Sequence, residues 1–442
     1  MLNNSIAFQY RDPEIEKMPD KELRAQQLSK LKTAVGWALR TPFYGERLPR
    51  VGIKSPDDIQ SLEDILRIPF TTKEDLRKGF PYGFLSVPLE EVVRLHASSG
   101  TTGTPTTIYF TARDLERWAY FMARCMYGTG CTKNDVLQNM SSYGLFTGGL
   151  GIHAGGEETG MMVIPSGSGN TVRQFRLMQD FGTTVLHATP SFLLHLETKM
   201  KEEGILRENL KLRKAFAGAE PYSEDTRRRI EELLDIDVYN SYGLSEMNGP
   251  GVAFECQAKE GLHLWEDGYI GEVIDPKTLE PLDNGETGEL VLTCLCREAS
   301  PILRYRTRDL TGFYTGPCAC GRTHRRFRRI TGRSDDMLII NGVNVFPSQI
   351  EEVVMGMKEV GNNYLIVLEK EGALDRLIVK VEVGPDIFMD DSRPLNALME
   401  KIRKTLQAMI TINPKVELHE PGALPVSEGK AKRVQDNRPK DV

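Results

Sequence analysis

Ser98-Ser99-Gly100-Thr101-Thr102-Gly103-Thr104-Pro105 places five hydroxyls, two glycines and a proline in eight residues. Apolar-rich runs flank it, Val92-Val93-Arg94-Leu95-His96-Ala97 before and Thr106-Thr107-Ile108-Tyr109-Phe110 after, and both have strand character. Such a loop can turn successive backbone N–H groups and hydroxyls onto one anion, with glycine supplying the φ > 0 positions of a nest. It lacks the Gly-Lys-Ser/Thr that opens the helix of a Walker A loop. An ordinary polar hairpin turn accounts for the same eight residues, so the reading depends on the rest of the chain.

On the C-terminal side, residues 114–127 have the apolar spacing of an amphipathic helix. From Val136 to about 240 the text alternates. The apolar runs Met161–Ile164, Thr184–Leu186 and Lys214–Ala217 are separated by helical segments at 171–181 and 190–203. That rhythm predicts βαβ units and a mainly parallel sheet, whose ligands sit beyond the carboxyl ends of strands. Gly218-Ala219-Glu220-Pro221 occupies that place after one run. Ser241-Tyr242-Gly243-Leu244-Ser245-Glu246 occupies it after Asp237–Asn240. Residues 269–316 change to short strands with turns, including Asn284-Gly285, which predicts an antiparallel β-subdomain. Gly332-Arg333-Ser334-Asp335-Asp336 is a polar, hinge-like break. Beyond it a helix (348–357), strands (363–368 and 377–383), a second helix (393–408) and a last strand (415–418) suit a small α+β domain. The expected fold is thus α/β: a large N-terminal domain over 1–332 and a small mobile domain over 333–442. On the N-terminal side, Asp20 is the expected N-cap of a helix over 20–40 that Thr41-Pro42 stops. Thr72 is the expected cap of a short helix with Asp75 in its first turn.

The 442 residues suffice for two or three domains. A net charge of −6 argues against nucleic acid or an anionic membrane as the main partner. No apolar run approaches the roughly 18 residues of a membrane span, and the polar N-terminus is unlike a signal peptide. Seven cysteines, an odd number, suit a reducing, cytoplasmic setting and favour metal binding over disulfides. Cys294-x-Cys296 lies in a strand-like run and reads as packed small hydrophobes. Cys318-Ala319-Cys320-Gly321 sits in a turn context, and Cys256-x₆-His263 sits in a loop about 60 residues earlier. Three sulfurs and an imidazole make a tetrahedral set for a structural Zn²⁺; reduced free thiols are the other reading.

Taken together, these stretches resemble the adenylate-forming superfamily of acyl- and aryl-CoA synthetases, adenylation domains and luciferases, and within it the phenylacetate–CoA ligases. The resemblance runs from about 18 to 438. Its phrases, in the family's order, are Pro69–Lys73, Leu95–Gly103, Ser241–Glu246, Arg304-Tyr305-Arg306-Thr307-Arg308-Asp309-Leu310, Gly332–Asp336 and Gly429-Lys430-Ala431-Lys432-Arg433-Val434. It implies an ATP-dependent ligase that makes an aryl-acetyl adenylate and then a CoA thioester, releasing AMP and pyrophosphate. An adenylation protein loading a carrier-protein thiol, and a non-catalytic nucleotide-binding regulator, are the rival readings.

Joining a carboxylate to the α-phosphate of ATP brings two anions together, and the residue types fit that problem. Ser98, Ser99, Gly100, Thr101, Thr102 and Gly103 would hold the β- and γ-phosphates. Glu246 would hold Mg²⁺. By resemblance, Gly218, Ala219, Glu220 and Pro221 border the adenine, Tyr242 and Gly243 also bind the nucleotide, Asp309 takes the ribose hydroxyls, and Arg333 lies near the nucleotide. Asp335 matches the hinge, and Lys430 would bridge the acyl carboxylate and the α-phosphate in one of two domain poses. Thr102, Glu246 and Lys430 are therefore the candidate catalytic residues. Tyr143, Phe146, Gly148 and Gly149 would form a flat apolar slot for the acid. The resembled loop carries Lys where this chain has Thr104, which implies slower pyrophosphate handling or another compensating basic group. The expected partners are a small carboxylic acid, ATP and coenzyme A, with no nucleic acid and no membrane; a homodimer is compatible with the sequence.

Overall fold

The computed structural model describes residues 7–98, 104–372, 374–384, 392–425 and 431–439. The chain divides into two compact units. One comprises Met1–Gly167, Phe181–His187 and Tyr239–Ile330; the other comprises Ser168–Asp180, Ala188–Val238 and Thr331–Val442.

In the first unit the strands Arg94–Ala97 and Thr107–Phe110 pair antiparallel, with Arg94 opposite Phe110 and Ala97 opposite Thr107. The hydroxyl-rich loop therefore joins the two strands of a hairpin, as its flanks predict. Val136–Asn139 pairs parallel with Met162–Ile164 on one side and with Val185–Ala188 on the other. Leu137, Val185 and Leu186 are fully buried, each contributing roughly 1.5–3 kcal/mol of apolar transfer. Antiparallel pairing takes over downstream, where Asp237–Leu244 pairs with Gly249–Glu255, which pairs with Leu262–Leu264, which pairs with Arg326–Phe327. Tyr269–Ile274, Gly288–Cys294 and Tyr305–Thr311 form the expected antiparallel meander.

Two helices frame this unit. Ala112–Gly128 starts at Thr111, whose side chain accepts from the Asp114 N–H while Asp114 returns the bond, a capping box. It lies against Thr147–Thr159, a glycine-rich helix for which the sequence gives no periodic signal. Glycine is what permits that approach: a Cβ on Gly155 would come within 2.4 Å of the Met122 Cβ.

In the second unit Pro190–Glu202, Lys214–Gly218 and Glu224–Leu234 continue the helix–strand–helix alternation. Val360–Glu371 and Leu374–Val383 pair antiparallel at the centre of a four-stranded sheet, flanked in parallel by Val434–Asp436 and Lys415–His419. The helices Pro347–Met355 and Ser392–Ile410 complete the pattern read for this region. An Asn341-Gly342 turn with φ of +50° and +82° closes a hairpin between Leu338–Ile340 and Val343–Val345.

Three local expectations need correction. The helix Asp20–Ala38 is preceded by Pro19 in the capping position, so Asp20 is its first residue and its carboxylate bonds Arg24 at 2.9 Å. Thr41-Pro42 marks a start as well as a stop: the Thr41 hydroxyl accepts from the Tyr44 N–H at 3.1 Å and caps Pro42–Arg50. The 241–246 phrase does not follow a strand that ends at Asn240, because Asp237–Leu244 is continuous and only Ser245–Met247 turns.

Candidate active site

Glu246 emerges where that strand turns. It is 6% exposed, and among the described residues its carboxylate has no hydrogen-bond or ion-pair partner. What is held is its backbone. The guanidinium of Arg297, fully buried, donates to the Glu246 carbonyl at 2.7 Å, to Asn248 Oδ1 at 2.7 Å and to the Ser300 carbonyl at 2.8 Å. Asn248 sits at φ +78° and donates through Nδ2 to the Tyr269 hydroxyl at 3.0 Å. A buried carboxylate left free, on a backbone fixed from behind, suits a hard cation with oxygen ligands. One strand position upstream of Gly243, the Tyr242 hydroxyl donates to Asp309 Oδ2 at 2.7 Å. A Cβ on Gly243 would lie 1.8 Å from the Gly249 carbonyl oxygen, so glycine is required there by the neighbouring strand.

Of the hydroxyl-rich loop, Ser98 is tied back: its N–H donates to the Thr106 carbonyl at 3.0 Å and its Oγ accepts from the Thr106 N–H at 3.1 Å. Ser99, Gly100, Thr101, Thr102 and Gly103 lie outside the described residues, as does Lys430.

The predicted acid slot falls on the entry to the glycine-rich helix. Phe146 stands before its first turn and is 48% exposed. Gly148 has open space where a Cβ would be, whereas a Cβ on Gly149 would lie 2.6 Å from the Ser142 carbonyl and 3.4 Å from the Tyr143 ring. Tyr143 is half-buried, and its hydroxyl belongs to a polar chain. Asn139 Nδ2 donates to it at 2.9 Å, and it donates to His153 Nδ1 at 3.2 Å, the other ring nitrogen giving its proton to Glu157 at 3.0 Å. Burial pushes the Tyr143 phenol up. Behind Asn139, His187 Nδ1 lies 3.0 Å from Asn139 Oδ1 and 2.9 Å from Ser141 Oγ. Burial lowers this imidazole to about 4.

In the second unit, Ala219 adopts φ +68° after the strand Lys214–Gly218. Glu220 accepts from the Ser191 hydroxyl at 3.0 Å and from the Ala431 N–H. Glu220, Pro221, Asp335, Tyr364 and Arg433 line one cavity of about 490 Å³. The unit thus brings two of the expected adenine-bordering residues together with the expected hinge residue. Arg333 is paired with Asp335 through Nε at 2.9 Å and Nη2 at 3.0 Å.

The last set is Cys256, His263, Cys318 and Cys320. All four are buried and their ligand atoms lie within 4.8 Å of one another. Cys294 and Cys296 are also buried, but the strand ends at Cys294, and Cys296 Sγ accepts from Asn248 Nδ2 at 3.4 Å. They are part of the packing behind Glu246, beyond the small-hydrophobe role read from sequence. Arg297 and Asn248 escaped that reading because neither falls in a motif.

The AMP-binding enzyme pattern matches residues 73–293, and the AMP-binding enzyme C-terminal domain pattern matches 342–438. A phenylacetate-coenzyme A ligase of Thermus thermophilus is 45% identical over 441 residues, covering 96% of this chain and 99% of that protein. One from Escherichia coli K12 is 41% identical, covering 97% of each. The chain belongs to the phenylacetate–CoA ligase family of AMP-binding enzymes. Membership makes it an AMP-forming acid–CoA ligase that works through an acyl-adenylate. The fold of the family extends to a 2-hydroxyisobutyryl-CoA ligase solved in its postadenylation state with an acyl-AMP. That structure superposes with a TM-score of 0.91 at 28% identity, covering 98% of this chain and 93% of the other. The same ligase with acyl-AMP and CoA in its thioesterification state gives 0.72 at 30% identity, covering 97% and 92%. Among the described residues no helix is long and apolar enough to cross a membrane.

Proposed function

We infer that the acid activated is an aryl-acetic acid, phenylacetate foremost, and that coenzyme A is the thiol acceptor. The observation that carries this reading is the Tyr143 face. Its ring lies against Gly149 and its hydroxyl is bonded to Asn139 and His153, so a half-buried aromatic plane is held in place, and Gly148, next to Gly149, faces open space. A locked aromatic face favours a planar ring by about 0.5–1.5 kcal/mol beyond area burial. It offers no such gain to an alkyl chain.

The nucleotide half of the reading rests on residue types and their setting. Glu246 is the Mg²⁺ ligand; when bound, the ion would neutralise charge across the phosphates. Asp309, oriented by Tyr242, accepts the ribose hydroxyls, and Glu220 and Pro221 border the base. Residues 98–103 cradle the β- and γ-phosphates. Lys430 supplies the point charge that follows negative charge from the carboxylate to the α-phosphate. It acts in one of two poses of a C-terminal part (333–442) that turns at Asp335. A cytoplasmic setting rests on the odd number of cysteines in the sequence, seven.

The test is steady-state kcat/KM for pyrophosphate release across acetate, octanoate, benzoate and phenylacetate, each with and without CoA. Phenylacetate leads if the reading is right. Octanoate ahead of phenylacetate removes the aryl assignment and leaves the ligase. Thioester formed on a carrier protein and none on CoA removes the acceptor.

A further inference from the structure

We propose that Cys256, His263, Cys318 and Cys320 bind one structural Zn²⁺, and that this metal fixes the loop on which residues 8–18 are seated. Four ligands at Zn–S of about 2.3 Å and Zn–N of about 2.0–2.1 Å in a tetrahedron place sulfurs about 3.8 Å apart and a sulfur and nitrogen about 3.5 Å apart. Cys256 Sγ and Cys318 Sγ are 3.7 Å apart, and Cys320 Sγ is 3.4 Å from His263 Nε2. A disulfide would need about 2.05 Å, and none of the seven cysteines is in one.

The imidazole is prepared for the role. His263 Nδ1 lies 3.1 Å from the His324 carbonyl oxygen, which only accepts, so Nδ1 carries the proton and Nε2 turns its lone pair toward the sulfurs. His263 lies in the strand Leu262–Leu264 rather than in the loop its sequence context suggests, Cys256 directly follows the strand Gly249–Glu255, and Cys318 and Cys320 come from a separate loop. Each is at most 6% exposed, which leaves no open position for water. Soft sulfur in a tetrahedral S₃N set selects zinc over Mg²⁺ or Ca²⁺.

The consequence lies in what the loop of Cys318 and Cys320 carries. Tyr10 donates its hydroxyl to the Cys320 carbonyl, and Arg322 donates to the Gln9 carbonyl at 2.6 Å and to Glu16 Oε2 at 2.6 Å. The Thr323 N–H donates to the Glu16 carbonyl at 3.1 Å. His324 takes the Glu266 N–H on Nδ1 at 2.8 Å, so its Nε2 proton goes to the Ile15 carbonyl at 3.1 Å. Phe8 packs against the cluster of Cys256, Cys318 and Cys320. Every residue from Cys320 to His324 except Gly321 therefore holds the N-terminal segment. That loop has no regular secondary structure of its own to keep it in place.

The experiment is elemental analysis of the full chain purified without chelator from zinc-supplemented growth, with visible spectroscopy of the Co²⁺-exchanged protein. About one zinc per chain is expected, with the intense d–d bands of tetrahedral cobalt and a thiolate charge-transfer band. Cys318→Ser should lose the metal and speed hydrogen exchange at residues 8–18, while Cys131→Ser, whose thiol lies outside the cluster, keeps both. Should Cys318→Ser fail to fold, titration of the wild type with a mercurial decides: zinc is released in step with the thiols if the proposal is right. A folded wild type with a zinc content near zero and all three thiols alkylated in the native state overturns it. So does a Cys318→Ser protein that keeps its metal. Unchanged exchange at 8–18 in a metal-free variant overturns the seating role.

Discussion

Arg297→Met tests whether the cation site proposed at Glu246 is built from behind. The guanidinium has no carboxylate within ion-pairing distance among the described residues; its charge is spent on three oxygen acceptors, at Glu246, Asn248 and Ser300. Bonds from a charged donor contribute about 1.5–3 kcal/mol each, and each buried acceptor left unpaired costs about 1–3 kcal/mol. Methionine nearly matches the length of the side chain and recovers the several kcal/mol spent on desolvating a buried charge. These opposing effects leave a net loss of about 2–4 kcal/mol, read as a fall in thermal or urea stability. The sharper readout is functional. With its carbonyl released, the Glu246 carboxylate no longer stands at a fixed point, so half-saturation by Mg²⁺ should rise about tenfold or more, at about 1.4 kcal/mol per decade, while the KM for the acid changes little. Adenylate formation is followed by pyrophosphate release over a Mg²⁺ titration at saturating ATP and acid. A variant that loses stability but keeps the wild-type Mg²⁺ dependence refutes the positioning argument. One that keeps both refutes the account of Arg297 altogether.

Gly151→Ala should destabilise by about 1–3 kcal/mol. Its Cβ would fall 2.3 Å from the Trp118 ring, which is pinned by a 2.9 Å bond from Nε1 to the Pro250 carbonyl. Gly148→Ala in the same helix, with nothing within 4 Å, should be neutral or stabilising in the same thermal melts. His187, lowered to about 4 by burial, binds fewer protons when folded than when unfolded between that value and its usual 6.5. Stability should therefore fall as pH drops through this window, by about 3 kcal/mol in all, and His187→Gln should flatten that part of a urea-melt series. Lys430→Ala should abolish adenylate formation and largely spare thioester formation from supplied acyl-adenylate; equal loss in both half-reactions, measured separately, counts against a lysine that serves one pose.

The parts of this enzyme that are legible in its sequence are those whose chemistry is local. Thr72 and Asp75 form a capping box within four residues, and the hairpin on either side of residues 98–105 announces itself by its flanking strands. Thr41-Pro42 shows the limit of such signals, since one dipeptide both interrupts a helix and caps the next, and spacing alone does not separate the two. The helix Thr147–Thr159 was illegible for a physical reason. Each interior glycine costs about 1 kcal/mol relative to alanine, so local propensity opposes the helix. What offsets that cost is contact with Ala112–Gly128, which only glycine allows.

The site divides along the same line. Glu246 and the cysteines are proposed from residue types that carry the chemistry, and Asp309 from the family resemblance. Arg297, Asn248, Asn139 and His324 could not be named in either way, because each acts on a backbone or a ring whose position in the chain says nothing about it: Arg297 lies 51 residues from Glu246, and His324 lies 61 from His263. A buried guanidinium bonded to carbonyls leaves no motif, yet it fixes where the carboxylate stands. Substrate chemistry selects the residues that touch ligand, whereas the residues that hold them need only reach the right atom from wherever the fold puts them. Arg297 is accordingly the position at which a sequence-based list of active-site residues is most informative when it fails, since its loss should leave every named ligand in place and still move the Mg²⁺ dependence.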